Sequence, residues 1–182
     1  NAEIVEAVAT MMKKTNPGNI VLDPVMISKS GDNLLRRDCV DVLRSLLIPL
    51  ATIVTPNIPE AEELTGIQVL DKRSMEKAAH YIIDMGAQSV IMKGGHMEGD
   101  PIDYFFDGEN SIELVSKRIE TKNTHGTGCT FSSAVAANLA LGKDLEASTR
   151  IAQSYVHDSI DPGFSIGSGH GPLNHFSKFW DM

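Results

Sequence analysis

Two cysteines in 182 residues, Cys39 and Cys129, are too few for a disulfide framework and form no CxxC metal pair. Their scarcity fits a reducing cytoplasm. No apolar run approaches the length of a membrane span, and no signal-peptide pattern opens the chain. Lys and Arg form no cluster of the kind that follows a phosphate backbone. With a net charge of −8 and a pI near 5.2, nucleic acid and anionic membranes are excluded as main partners. HxH and HExxH spacings are missing, so His96, His125 and His170 read as hydrogen-bonded loop residues rather than metal ligands. His80, His157 and His175 carry no functional signal. Repeats, low-complexity tracts and linkers are lacking too, which leaves one domain over residues 1–182. Neither an initiator Met nor a leading strand precedes the first helical pattern. The chain is therefore expected to enter its fold part-way, amino-terminally incomplete.

What is present is an alternation. Ile4, Val5, Val8, Met11 and Met12 make an amphipathic helix to about Lys14, stopped by Asn16-Pro17-Gly18. Residues 19–22 read as a short buried strand ending at Asp23-Pro24, and residues 34–47 as a helix. Residues 51–54 form a second buried strand, closed by Thr55-Pro56-Asn57. A short helix opens at Pro59-Glu60, and a further one spans residues 74–85, capped by Ser74 and ended by Gly86. Residues 89–92 are a third buried strand, leading to Lys93-Gly94-Gly95-His96. Residues 102–106 and 111–115 flank Asp107-Gly108-Glu109-Asn110 as a hairpin, placed toward one edge of the sheet. Residues 145–160 are the last helix. Short apolar strands alternating with helices specify a mainly parallel sheet covered on both faces.

The stretch Asn123-Thr124-His125-Gly126-Thr127-Gly128-Cys129-Thr130 is a glycine-rich loop feeding a helix that is strong from Phe131 to Gly142. Gly126 and Gly128 allow a sharp turn and a close approach by a ligand. The first N–H groups of such a helix are unpaired and carry the positive end of its dipole, so the loop is a ready anion site. Cys129 lies at that helix start, where a thiolate is expected to be stabilised and to serve as base or nucleophile. In open α/β sheets, ligands bind beyond the carboxyl ends of the strands. Asp23, Asn57 with Glu60, and Lys93 follow three strands and would line one crevice with the loop. A cation, carboxylate and amide oxygens, and an N–H cradle suit a nucleotide phosphate chain with Mg²⁺. Taken singly, each has a plainer role: Asp23 as a turn former, Asn57 as a helix cap, Glu60 as a dipole partner, Lys93 as a solvated strand end.

The segments Asp23-Pro24-Val25-Met26, Lys29-Ser30-Gly31-Asp32, Thr55-Pro56-Asn57-Ile58-Pro59-Glu60-Ala61, Lys93-Gly94-Gly95-His96 and Gly126-Thr127-Gly128-Cys129 occur in this order. In that respect the chain resembles the hydroxymethylpyrimidine/phosphomethylpyrimidine kinases of the ribokinase-like superfamily. The resemblance implies a three-layer αβα fold, of which this would be the carboxyl-terminal part. It implies ATP as phosphoryl donor, Mg²⁺, a pyrimidine alcohol acceptor and a place in thiamine biosynthesis. Gly126, Thr127, Gly128 and Cys129 would form the anion hole, with Cys129 as base. Asn57 and Glu60 match an Asn-x-x-Glu element that organises Mg²⁺ and phosphates, and Asp23 would lie near the metal and the transferred group. Lys93 would neutralise phosphate charge. Val115 and Ile119 would wall the nucleotide pocket. A homodimer in the cytoplasm is implied as well. Cys129, where sugar kinases of the superfamily carry Asp, is shared with a pyridoxal kinase subgroup. The alternatives are thus a pyridoxal kinase, or a nucleotide-binding fragment without turnover.

Overall fold

The computed structural model describes residues 1–26, 37–95, 99–160, 166 and 168–177, with Arg37 and Asp38 described as backbone only. Six α-helices and five strands lie among the described residues. Helix α1, Ala2–Thr15, is capped by the Asn1 side chain and ends where Asn16 turns left-handed at φ 42°. Strand β1 is Val21–Leu22, followed by α2, Arg37–Leu46, and a 3-10 turn at Ile48–Leu50. Strand β2 is Ile53–Val54, then α3, Ile58–Thr65, and α4, Lys72–Asp84. Strand β3 is Val90–Met92, and the hairpin is β4, Ile102–Phe106, with β5, Ser111–Val115. Helices α5, Thr127–Ala140, and α6, Leu145–Ile160, complete the order.

The sheet runs β1-β2-β3-β4-β5, with β1, β2 and β3 parallel and β4 antiparallel to both its neighbours. Four strands therefore point one way, and the hairpin occupies an edge. Alternating side chains split the core into two layers, as a pleat of period two requires. Val54, Val90, Met92, Tyr104 and Phe106 face α1 to α4, meeting Val5, Leu43, Leu64 and Ile82. Ile53, Ile91, Phe105 and Leu114 face α5 and α6, meeting Phe131, Val135, Leu139 and Ala152. Ile48, Ile53, Leu64, Ile82 and Ile91 are completely buried, each contributing roughly 1.5–3 kcal/mol of apolar burial. The result is an αβα sandwich whose strand ends share one rim.

Three expectations need correction. Helix α4 starts at Lys72, because Asp71 caps it: Asp71 Oδ1 accepts from Ser74 N at 2.8 Å and the Ser74 hydroxyl reaches back to Asp71 N. Ser74 is the third helical residue, not the cap. Helix α5 begins at Thr127, before the apolar run, because left-handed Gly126 starts it. Strands β1 and β2 are two residues long each, although Ile20 O still accepts from Ile53 N and Thr55 N still donates to Leu22 O between them. Leu34, Leu35 and Arg36, expected in α2, lie outside the described residues, as do Lys29-Ser30-Gly31-Asp32 and His96. Among the described residues no helix is long and apolar enough to cross a membrane.

Candidate active site

The rim at the carboxyl ends of β1, β2 and β3 gathers the expected polar residues. Lys93 Nζ stands 3.0 Å from Asp23 Oδ1, with side chains 15% and 16% exposed. Lys93 is held in register by its N–H, which donates to Pro56 O at 2.8 Å, and by an isolated bridge to Asn57. At the start of α3, Asn57 Oδ1 accepts from Glu60 N at 2.9 Å while Glu60 Oε2 accepts from Asn57 N at 2.8 Å. This reciprocal cap satisfies two otherwise orphaned donors. It also buries Glu60 almost completely. Burial pushes the Glu60 carboxyl above the ordinary range; the Asn57 N–H and Lys93 pull against that rise, and Asp23 adds to it.

Helix α5 closes the rim from the other side. Gly126 sits at φ 87° and no side chain caps this start, whereas α1, α3 and α4 all carry side-chain caps. Thr130 N bonds to Gly126 O at 2.9 Å, so the N–H groups of Thr127, Gly128 and Cys129 precede the first intrahelical bond. The Thr127 hydroxyl turns away, donating to Thr124 O at 3.2 Å. A Cβ placed on Gly128 would lie 3.2 Å from Lys93 Nζ. The lysine head therefore stands beside Gly128 in the uncapped first turn of α5. The loop is tied down by the tail: His125 N donates to Gly171 O at 3.0 Å, and His125 bridges Pro172.

Two residues that sequence reasoning passed over connect the parts. Thr55 Oγ1 lies 3.3 Å from Asp23 Oδ1 and 2.8 Å from Ser132 Oγ, and Ser132 Oγ lies 3.1 Å from Gly128 O. Each hydroxyl has one proton to donate. When Ser132 donates to Thr55, Thr55 can donate to Asp23 or to Leu22 O; when Thr55 donates to Ser132, Ser132 donates to Gly128 O. The buried pair thus links the Asp23 carboxylate to the first turn of α5. Nothing local marks it, because Thr55 and Ser132 are 77 residues apart.

Cys129 differs from expectation. Its thiol is exposed, yet it is pushed up rather than down, first by desolvation and then by the Asp23 charge, with Glu60 adding and Lys93 opposing. Desolvation and the Asp23 charge together outweigh the lysine, so the thiolate is disfavoured rather than stabilised here. Val115 is exposed at the end of β5 and lines a 290 Å³ depression with Ser116, Lys117, Gln153, Ser154 and His157, while Ile119 is half-buried just beyond. Since β5 runs parallel to β3, this depression opens at the same end of the sheet. A larger hollow, lined by Phe105, Asp107, Asp144 and Arg150, takes in the far end of the hairpin and lacks every one of these groups. No three His, Cys, Asp or Glu side chains among the described residues converge on a metal position. Asp23 and Glu60 suit a hard cation that retains its waters, as Mg²⁺ does.

A parallel-sheet sandwich whose glycine loop opens a helix beneath a strand-end lysine is the ribokinase-like fold. The chain belongs within it to the phosphomethylpyrimidine kinase family, whose sequence profile matches residues 1–174. It is 42% identical to a hydroxymethylpyrimidine/phosphomethylpyrimidine kinase of Bacillus subtilis, over 97% of this chain and 66% of that one. It is 47% identical to a thiamine biosynthesis bifunctional protein of Geobacter sulfurreducens, over all of this chain and 37% of the other. The pyridoxal kinase of Bacillus subtilis, solved as an ADP complex, superposes with a TM-score of 0.91 at 35% identity, covering 98% of this chain and 68% of its own. The chain thus spans less than two thirds of the first two of these proteins.

Proposed function

We propose that this domain serves ATP-dependent phosphorylation of 4-amino-5-hydroxymethyl-2-methylpyrimidine, and then of its monophosphate, in thiamine biosynthesis. The observation that carries the reading is the position of Lys93 Nζ over Gly128 at an uncapped helix start. In this reading the N–H groups of Thr127, Gly128 and Cys129 hold the γ-phosphoryl oxygens, and Lys93 offsets their charge. The alcohol oxygen attacks the γ-phosphorus, the bond to the β-phosphate oxygen breaks, and ADP leaves. The alcohol proton passes to Cys129 Sγ. Burial first, then the Asp23 and Glu60 charges, raises that thiol, so it serves as base only after passing its own proton to solvent, which engagement of both carboxylates would favour. Mg²⁺, held through water by Asp23, Asn57 and Glu60, would supply that engagement and offset the phosphates. Val115 and Ile119 wall the base of the nucleotide.

A pyridoxal kinase is the second reading, favoured by the superposition on the Bacillus subtilis pyridoxal kinase. Identity to the pyrimidine kinases is higher, and we place that substrate first. An ADP-release assay with the pyrimidine alcohol and with pyridoxal separates the two. Turnover of the pyrimidine is expected; preference for pyridoxal selects the second reading, and MgATP binding without turnover of either refutes both.

A further inference from the structure

Lys93 is positioned from two sides. Its own N–H is anchored to Pro56, but the next residue, Gly94, is fixed by a group outside the strand-end set. Gly94 N donates to Asp103 Oδ1 at 2.9 Å. The fit leaves no freedom, since a Cβ on Gly94 would lie 1.9 Å from Ile102 O. The other oxygen, Asp103 Oδ2, accepts from Gln153 Nε2 at 3.2 Å, and the same amide donates to Leu114 O at 2.8 Å. Gln153 also lines the depression beside Val115. One carboxylate, set in the middle of the sheet's antiparallel edge, therefore touches the lysine's neighbour and the wall of the base depression together. A charge in that setting is costly to bury. Desolvation pushes the Asp103 carboxyl up, opposed by the Gly94 and Gln153 hydrogen bonds and by Lys93. Both carboxylate oxygens are taken up by these donors, so Asp103 ties β3, β4 and α6 together.

We propose that Asp103 is a positioning residue for the nucleotide, fixing Lys93 through Gly94 and the base-side wall through Gln153. Phosphate end and base end are then read by one rigid unit across β3, β4, β5 and α6. The inference rests on the nucleotide-binding reading above and adds a residue that touches no substrate.

The test compares wild type with Asp103→Ala, Asp103→Asn and Gln153→Ala, using a fluorescent ATP analogue for binding and ADP release for turnover. Circular dichroism melts accompany each variant. Asp103→Ala is expected to weaken analogue binding about tenfold and to lower kcat by up to about 100-fold, leaving KM for the alcohol unchanged. Gln153→Ala weakens binding with a smaller loss of kcat than Asp103→Ala, because only one arm is lost. Asp103→Asn recovers most of kcat, since its amide oxygen still accepts from Gly94. Asp103→Ala with unaltered binding and kcat overturns the inference. So does equal impairment of the Ala and Asn variants in step with a lowered Tm, which is what a merely structural residue would show. Wild type that binds no analogue overturns the nucleotide reading itself, and the inference with it.

Discussion

The two glycines at the start of α5 are expected to respond to alanine in opposite ways. Gly126 sits at φ 87° with no atom within 4 Å of the place a methyl group would take, so only backbone strain opposes a side chain there. Forcing an L-residue left-handed costs about 1–2 kcal/mol, partly offset by about 0.4–1 kcal/mol from a stiffer unfolded chain. Gly126→Ala should therefore lose about 1 kcal/mol, or about 2–4 °C in Tm for a domain of this size. Gly128 is already helical, and alanine gains up to about 1 kcal/mol in a helix interior, less in a first turn. Its methyl would sit 3.2 Å from Lys93 Nζ, the far end of a flexible side chain that yields by a few tenths of an ångström. Gly128→Ala should hold or raise Tm. Activity runs the other way: the methyl occupies the space where phosphate oxygens meet the amides, and kcat/KM for ATP should fall about 100-fold. Melts and ADP-release kinetics on both variants decide it. Gly128→Ala with kcat/KM within about threefold of wild type would refute phosphate binding at this turn, and a Tm below that of Gly126→Ala would refute the strain argument.

Three more outcomes follow from the charges on the rim. Asp23→Asn removes the main charge opposing the Cys129 thiolate, so alkylation of Cys129 by iodoacetamide should accelerate and its pH midpoint move down; an unmoved midpoint sinks the assignment. Glu60 has its pKa raised in the fold. Folded protein thus holds that proton to higher pH than unfolded chain does, and stability is lost as pH rises through the window above the ordinary carboxylate range. Glu60→Gln, which keeps an acceptor for Asn57 N, should flatten that loss and hold Tm at neutral pH while weakening MgATP binding; a steep Tm loss at pH 7 would contradict it. Lys93→Met leaves Asp23 without its 3.0 Å partner, which should cost about 1–3 kcal/mol, less than a fully buried pair, and remove detectable binding of the ATP analogue in a titration.

Much of the frame was legible because local chemistry decides it. The Asp107-Gly108-Glu109-Asn110 turn puts two N–H donors on the Asp107 carboxylate, and both hairpin strands lie where the alternating pattern sets them. The places of Asp23 and Lys93 were readable because each directly follows an apolar run, and those of Asn57 and Glu60 because they sit at cap and N3 spacing just after one. The start of α4 was misread because Asp71 and Ser74 are both good caps, three residues apart, and only their reciprocal bond shows which one leads. Thr55, Ser132 and Asp103 were missed for a different reason. Each acts through a partner supplied by another element, and a hydroxyl or carboxylate in or beside a strand or helix has no local signature. A charged residue at Asp103, within a strand whose next three residues are buried, was the one available hint. The Cys129 thiol was misjudged because a helix start was weighed without the desolvation and the carboxylates that folding brings to it.

Around Lys93 the fold has set three carboxylates, those of Asp23, Glu60 and Asp103. Such a rim repels a bare polyphosphate even as its amides invite one. In the proposed nucleotide-binding reading, selection among forms of the same nucleotide rests on the counterion it carries: the magnesium complex arrives with the charge the rim lacks, and the uncomplexed tetra-anion does not. Free ATP in excess of the metal should accordingly compete poorly, and added monovalent salt should narrow the gap by screening the rim.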